Sequence, residues 1–92
     1  MSQTKVVNLR YESCDVFIDR RSKWGNPFRI TSAVSRAESI ELYEQYIRRD
    51  RPNLIAALPE LVGKRLGCWC KPLACHGDIL IQLMREKGLI DE

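Results

Sequence analysis

Arg65-Leu66-Gly67-Cys68-Trp69-Cys70-Lys71-Pro72-Leu73-Ala74-Cys75-His76-Gly77-Asp78-Ile79-Leu80 changes character half-way along. Its first six residues read as a strand. Ile79 and Leu80, continued by Leu83 and Met84, fall on one face of a helix that Gly88 closes. A strand running through a short loop into a helix is the unit from which α/β folds are built. The carboxyl end of such a strand is where open α/β sheets place their ligands.

Upstream, Ser35-Arg36-Ala37-Glu38 has the spacing of a capping box, and Ile40, Tyr43 and Ile47 follow at helical intervals. The pattern predicts a helix from about Arg36 to Arg49. Pro52 suits the first turn of a second, shorter helix carrying Leu54, Leu58 and Leu61, with Pro59 bending or restarting it and Gly63 ending it. Nearer the N-terminus, Lys5-Val6-Val7-Asn8-Leu9 and Asp15-Val16-Phe17-Ile18-Asp19 are short β-branched and aromatic runs around the polar Tyr11-Glu12-Ser13, which suggests two strands able to pair with each other. The order strand, strand, helix, helix, strand, helix predicts a small α/β domain. A short sheet of three strands, or slightly more, would pack with two to three helices, and a crossover joining parallel strands would be right-handed.

The chain has 92 residues, 45% hydrophobic and 29% charged, enough for one core and too few for two. Residues 1–92 are therefore read as a single domain, monomeric or homodimeric. Fifteen Lys and Arg against twelve Asp and Glu give a net charge of +3, which permits an anionic partner without demanding one. No run reaches the roughly 20 apolar residues of a membrane span, and the N-terminus lacks a secretory signature. The expectation is a cytoplasmic protein with no membrane partner. In that compartment Cys14, Cys68, Cys70 and Cys75 would be thiols, serving as ligands, nucleophiles or core residues.

Alternation along the strand sends Cys68 and Cys70 to one side and Trp69 to the other, where it is expected in the core. Cys75 and His76 open the next helix, whose unpaired amides and dipole favour thiolate. Cys68, Cys70, Cys75 and His76 thus form a candidate zinc set. Their spacing departs from the Cys-x-x-Cys knuckle, and neighbours at a helix start diverge by about 100°, so Cys75 and His76 need not share one ion. Cys14 could stand in for one ligand only if the fold brought it near. A second reading makes Cys70 or Cys75 a nucleophile, His76 its base and Asp78 the group that orients His76, with the amides of Ala74 to Gly77 cradling an anion. A third leaves the cysteines in the core.

Arg20-Arg21-Ser22-Lys23-Trp24-Gly25-Asn26-Pro27-Phe28 has neither helical nor strand period and reads as an ordered loop. Arg20 and Lys23 offer cations for phosphate, Trp24 a flat ring for a base, and Asn26 a donor and an acceptor. Gly25 would let a ligand approach the backbone. The alternative is that Trp24 and Phe28 pack inward beneath solvated arginines.

At these motifs the chain resembles the domain of unknown function 4326 family, small proteins of bacteria and phages. The resemblance runs through residues 15–20, Ser22-Lys23-Trp24-Gly25-Asn26-Pro27-Phe28, residues 63–72 and Cys75-His76-Gly77-Asp78-Ile79-Leu80. It implies that the two motifs form one site containing Arg20, Lys23, Trp24, Asn26, Cys68, Cys70, Cys75, His76 and Asp78, and it supplies no reaction. The Cys-His helix start also resembles that of the domain of unknown function 488 family. Two functions stay open: binding of an anionic small molecule, nucleotide or nucleic acid with thiol- or metal-based catalysis, or a non-enzymatic interaction module held by zinc or by a cysteine core.

Overall fold

A computed structural model describes residues 3–71 and 73–91; Pro72, within the segment between the third strand and the last helix, lies outside them. Strand β1 spans Lys5–Asn8, β2 Val16–Phe17 and β3 Arg65–Cys68. Helix α1 spans Arg36–Asp50, α2 Pro52–Ala57 and α3 Gly77–Glu86, with a 3-10 turn at Leu58–Leu61 following α2. The α/β class and the order of the main elements follow the sequence pattern.

The pairing does not. The sheet order is β1-β3-β2 with both pairings parallel, so β1 and β2 never touch and β3 lies between them. The register sets Lys5 against Arg65 and Val16 against Leu66. The reason lies in β3. Leu66, Gly67 and Cys68 are all buried, as a central strand covered on both faces requires. A side chain at Gly67 would meet the Cys14 sulfur at 2.6 Å and Leu9 at 2.7 Å. The β1–β2 connection therefore covers the face of β3 opposite Cys68.

Helix α1 begins as its capping box requires: the Glu38 amide donates to Ser35 Oγ at 3.2 Å and Glu38 accepts from the Ser35 amide at 3.3 Å. Pro52 occupies the first turn of α2, and Pro59, unable to donate an i→i−4 bond, falls where α2 tightens into the 3-10 turn. Gly63 and Gly88 adopt φ of 75° and 72°, the left-handed region that glycine enters without a Cβ clash. The core joins Ile18 and Leu66 of the sheet to Tyr43, Ile47, Leu58, Leu61, Leu80 and Leu83 of the helical layer. No helix among the described residues is long and apolar enough to cross a membrane.

Trp24 is also part of this core, 1% exposed. Its carbonyl accepts the Tyr43 hydroxyl at 2.9 Å, inside the domain. The expectation that Trp24 offers a ring to a ligand is corrected: of the two readings of the loop, Trp24 follows the inward-packed one. Trp69 reverses in the opposite sense. It is 57% exposed rather than core, because β3 ends at Cys68 and the chain leaves the sheet there.

Candidate functional site

A cleft of about 260 Å³ opens at the carboxyl ends of β2 and β3. Asp19 and Arg20 reach it from the end of β2, and Cys68, Trp69 and Cys70 from the end of β3. Asn26, Phe28 and Ile30 come from the loop, Ser39 from α1 and His76 from the start of α3. Residues of both sequence motifs thus line one cleft.

The loop is shaped by its own polar groups. Asn26 Nδ2 donates to Ser39 Oγ at 2.9 Å, and Asn26 Oδ1 accepts the Phe28 amide at 2.9 Å. The Asn26 amide thus shapes the loop and clasps it to α1, while Asn26 also lines the cleft. Gly25 also serves the backbone rather than a ligand, since a Cβ there would stand 2.7 Å from Arg20 Cα and from the Asp19 carbonyl oxygen. Arg20 Nε donates to the Asn26 carbonyl at 3.2 Å. Among the described residues Arg20 forms no salt bridge, so its charge is presented to the cleft. Lys23 is directed elsewhere: its ammonium pairs with Glu60 at 2.8 Å, and it does not line the cleft.

The cysteines converge. The sulfurs of Cys68, Cys70 and Cys75 all lie within 4.8 Å of one another, with Cys68 and Cys75 buried and Cys70 half-buried. Cys68 Sγ and Cys75 Sγ are 2.9 Å apart. The hydrogen bond from the Cys75 thiol pulls Cys68 down to about 6 against the opposing effect of burial, with help from the amides of Cys70 and Lys71. Cys75 moves the other way, because it keeps the shared proton and is buried. Cys68 is accordingly the thiolate of the pair. The sequence offers Cys70 or Cys75 as a nucleophile, and the amides at the end of β3 that favour a thiolate at Cys68 carry no signature in residue type. Cys14 lies across β3 from this cluster and does not replace one of its ligands.

His76 is 8% exposed and lies beside the cluster rather than in it. Its Nε2–H donates to the Ile18 carbonyl at 2.6 Å, which leaves Nδ1 as the acceptor, 3.5 Å from Cys75 Sγ. Burial lowers the pKa of His76, so the ring is held neutral. Tyr43 meets it edge-on with ring centres 4.9 Å apart. Asp78 does not orient this ring, a correction of the expected triad. It accepts the Cys75 amide at 3.0 Å and the Lys71 ammonium at 2.9 Å, closing the first turn of α3.

Two residues that the sequence did not single out complete the cleft. Trp69 Nε1 donates to Asp19 Oδ2 at 3.2 Å, so Asp19 fixes the exposed indole at the rim. Arg21 also donates to Asp19, and against the opposing effect of burial these bonds hold its carboxyl below the usual range. Asp19 Oδ2 and Trp69 Nε1 belong to segments 50 positions apart in sequence, a contact no local pattern reveals.

The family described as Domain of unknown function (DUF4326) matches residues 2–86. An uncharacterized 12.4 kDa protein from the nrdA-td intergenic region of Enterobacteria phage T4 is 43% identical over 85 residues, covering 89% of this chain and 78% of that protein. An uncharacterized protein of Acanthamoeba polyphaga mimivirus is 36% identical over 92 residues, covering 80% of this chain and 69% of that protein. No solved structure matches the chain. The extent of the match and the identity to these viral proteins place the chain in the family described as Domain of unknown function (DUF4326).

Proposed function

We propose that the cleft binds a nucleotide-like ligand, either a mononucleotide or one nucleotide of a single strand. The observation that carries this reading is that Arg20, which forms no salt bridge among the described residues, and the exposed Trp69 line the same cleft at the carboxyl ends of parallel strands. Arg20 supplies a cation for phosphate, and Trp69 and Phe28, which both line the cleft, supply flat apolar surface for a base. Pockets for drug-sized molecules begin at roughly 300 Å³, so a cleft of about 260 Å³ suits one nucleotide unit. The Cys68 thiolate at its inner wall gives the site a nucleophile.

Titration calorimetry with mononucleotides and short single-stranded oligonucleotides tests the reading. Saturable binding is expected, and Trp69→Ala should weaken it by roughly tenfold, since stacking on an aromatic contributes about 1–3 kcal/mol. Arg20→Ala should weaken it as well and flatten its salt dependence. Absence of saturable binding across the panel would overturn it.

A second reading is favoured by the three clustered sulfurs: Cys68, Cys70 and Cys75 hold a zinc ion whose fourth position faces the cleft. Sulfurs bonded at 2.3 Å around a tetrahedral zinc stand about 3.8 Å apart, within the span of the cluster once Cys68 and Cys75 separate slightly. His76 does not belong to the group of donor atoms that all lie within 4.8 Å of one another, and it stays outside the ligand set. Elemental analysis should give about one zinc per chain, retained in His76→Ala and lost in Cys68→Ser. Metal-free protein that takes up no added zinc would exclude this reading.

A further inference from the structure

We infer that Cys68 and Cys75 are a dithiol–disulfide couple that exchanges with small-molecule disulfides entering the cleft. The inference needs the cleft for access and is independent of the nucleotide reading. Its basis is positional. Cys68 and Cys75 Sγ are 2.9 Å apart, so closing to the roughly 2.05 Å of a disulfide asks little movement of either chain segment. Cys68 lines the cleft and Cys75 does not, which sets Cys75 behind Cys68 as a reagent in the cleft meets them. Displacement at sulfur proceeds through a mixed disulfide, with the attacking sulfur opposite the leaving one. A group attached to Cys68 from the cleft would leave toward the cleft as Cys75 attacks from the rear.

The steps balance. Cys68 attacks a disulfide RSSR as the thiolate, its proton already given to solvent, forming the mixed disulfide Cys68–SR and releasing RS⁻, which takes a proton from solvent. Cys75 then attacks Cys68 Sγ, the Cys68–SR bond breaks, and the second RS⁻ takes the Cys75 proton. The protein loses two electrons and two protons; the reagent gains both and leaves as two RSH. Cys70 shares the cluster but is not required, and Cys14, on the opposite face of β3, cannot reach Cys68.

The test uses glutathione disulfide and the purified full chain, with mass spectrometry after alkylation under native conditions. Wild type and Cys70→Ser should each lose two hydrogens and show a Cys68–Cys75 link on fragmentation. Cys75→Ser should accumulate glutathione on Cys68, the trapped intermediate. If Cys75→Ser does not fold, the link in Cys70→Ser decides alone. A link that includes Cys70, glutathione confined to Cys70 or Cys14, or sulfurs that stay reduced in wild type would each overturn the inference. Tight zinc binding produces the last of these outcomes and counts against it.

Discussion

His76 Nε2 lies 2.6 Å from the carbonyl oxygen of Ile18, and this bond joins the start of α3 to the end of β2. It fixes the proton of the ring on Nε2, while burial, against the pull of this bond, keeps the imidazole neutral. The folded state therefore binds the His76 proton more weakly than the unfolded chain, whose histidine titrates near 6.5. A depressed histidine contributes stability that is present above the unfolded value and is lost as pH falls toward the folded one. Melting temperature should fall as pH drops below about 6.5, and His76→Gln should flatten that part of the profile. Thermal melts of both proteins across the acid range check this.

The Cys68–Cys75 pair predicts a second pH effect, with both signs. Cys68, lowered to about 6, contributes stability that is present above the ordinary thiol value of 9.0 and lost as pH falls toward 6. Cys75, raised, contributes stability that is present below 9.0 and lost as pH rises beyond it. The pair is thus most stabilising near the ordinary thiol value. Denaturant midpoints measured from neutral to alkaline pH should pass through a maximum in wild type. In Cys68→Ser the rise on the acid side should disappear.

The two tryptophans should separate cleanly. Trp24→Ala empties a core position and should cost about 3–5 kcal/mol, whereas the exposed Trp69→Ala should change stability by less than roughly 0.5 kcal/mol. Acrylamide should quench the emission of Trp24→Phe, where Trp69 is the remaining indole, more strongly than that of Trp69→Phe.

Gly25→Ala should destabilise by about 1–3 kcal/mol, because the new methyl meets the backbone of Asp19 and Arg20 rather than a movable side chain. Both of those residues line the cleft, so the same variant should weaken nucleotide binding more than Trp69→Ala does.

Asp78→Ala tests the correction to the expected triad. As a helix-start acceptor, Asp78 should contribute about 1 kcal/mol. The His76 Nε2–H resonance, held by Ile18, should persist in the variant, and its loss would restore Asp78 as the group that orients the ring.

The sequence made the helices legible because their signals are local. A capping box at Ser35 and Glu38, prolines at 52 and 59 and glycines at 63 and 88 act within a few residues. Sheet order was not legible, since nothing in β1 or β2 states that β3 will come between them. The same limit explains the exchange of the two tryptophans. Trp24 sits in a polar, charged loop yet seals the core, while Trp69 follows a buried strand by one residue and faces out. The convergence of three cysteines followed from strand alternation and the helix start. Their unequal proton affinities, and the contact of Asp19 with Trp69, depend on distances that residue types do not encode.

The central position of β3 also governs how the molecule comes into being. Asn8 Nδ2 donates to the Lys71 carbonyl at 2.6 Å across 63 positions of sequence, and both pairings of the sheet wait on residues 65–68. On the ribosome, β1 and β2 emerge with no partner, and α1 and α2 follow with no sheet to cover. Contacts of such separation make folding slower than in helical domains of similar size. The strand that delivers Cys68 is the one that closes the sheet, so the nascent chain acquires its tertiary structure and its sulfur cluster in a single late event.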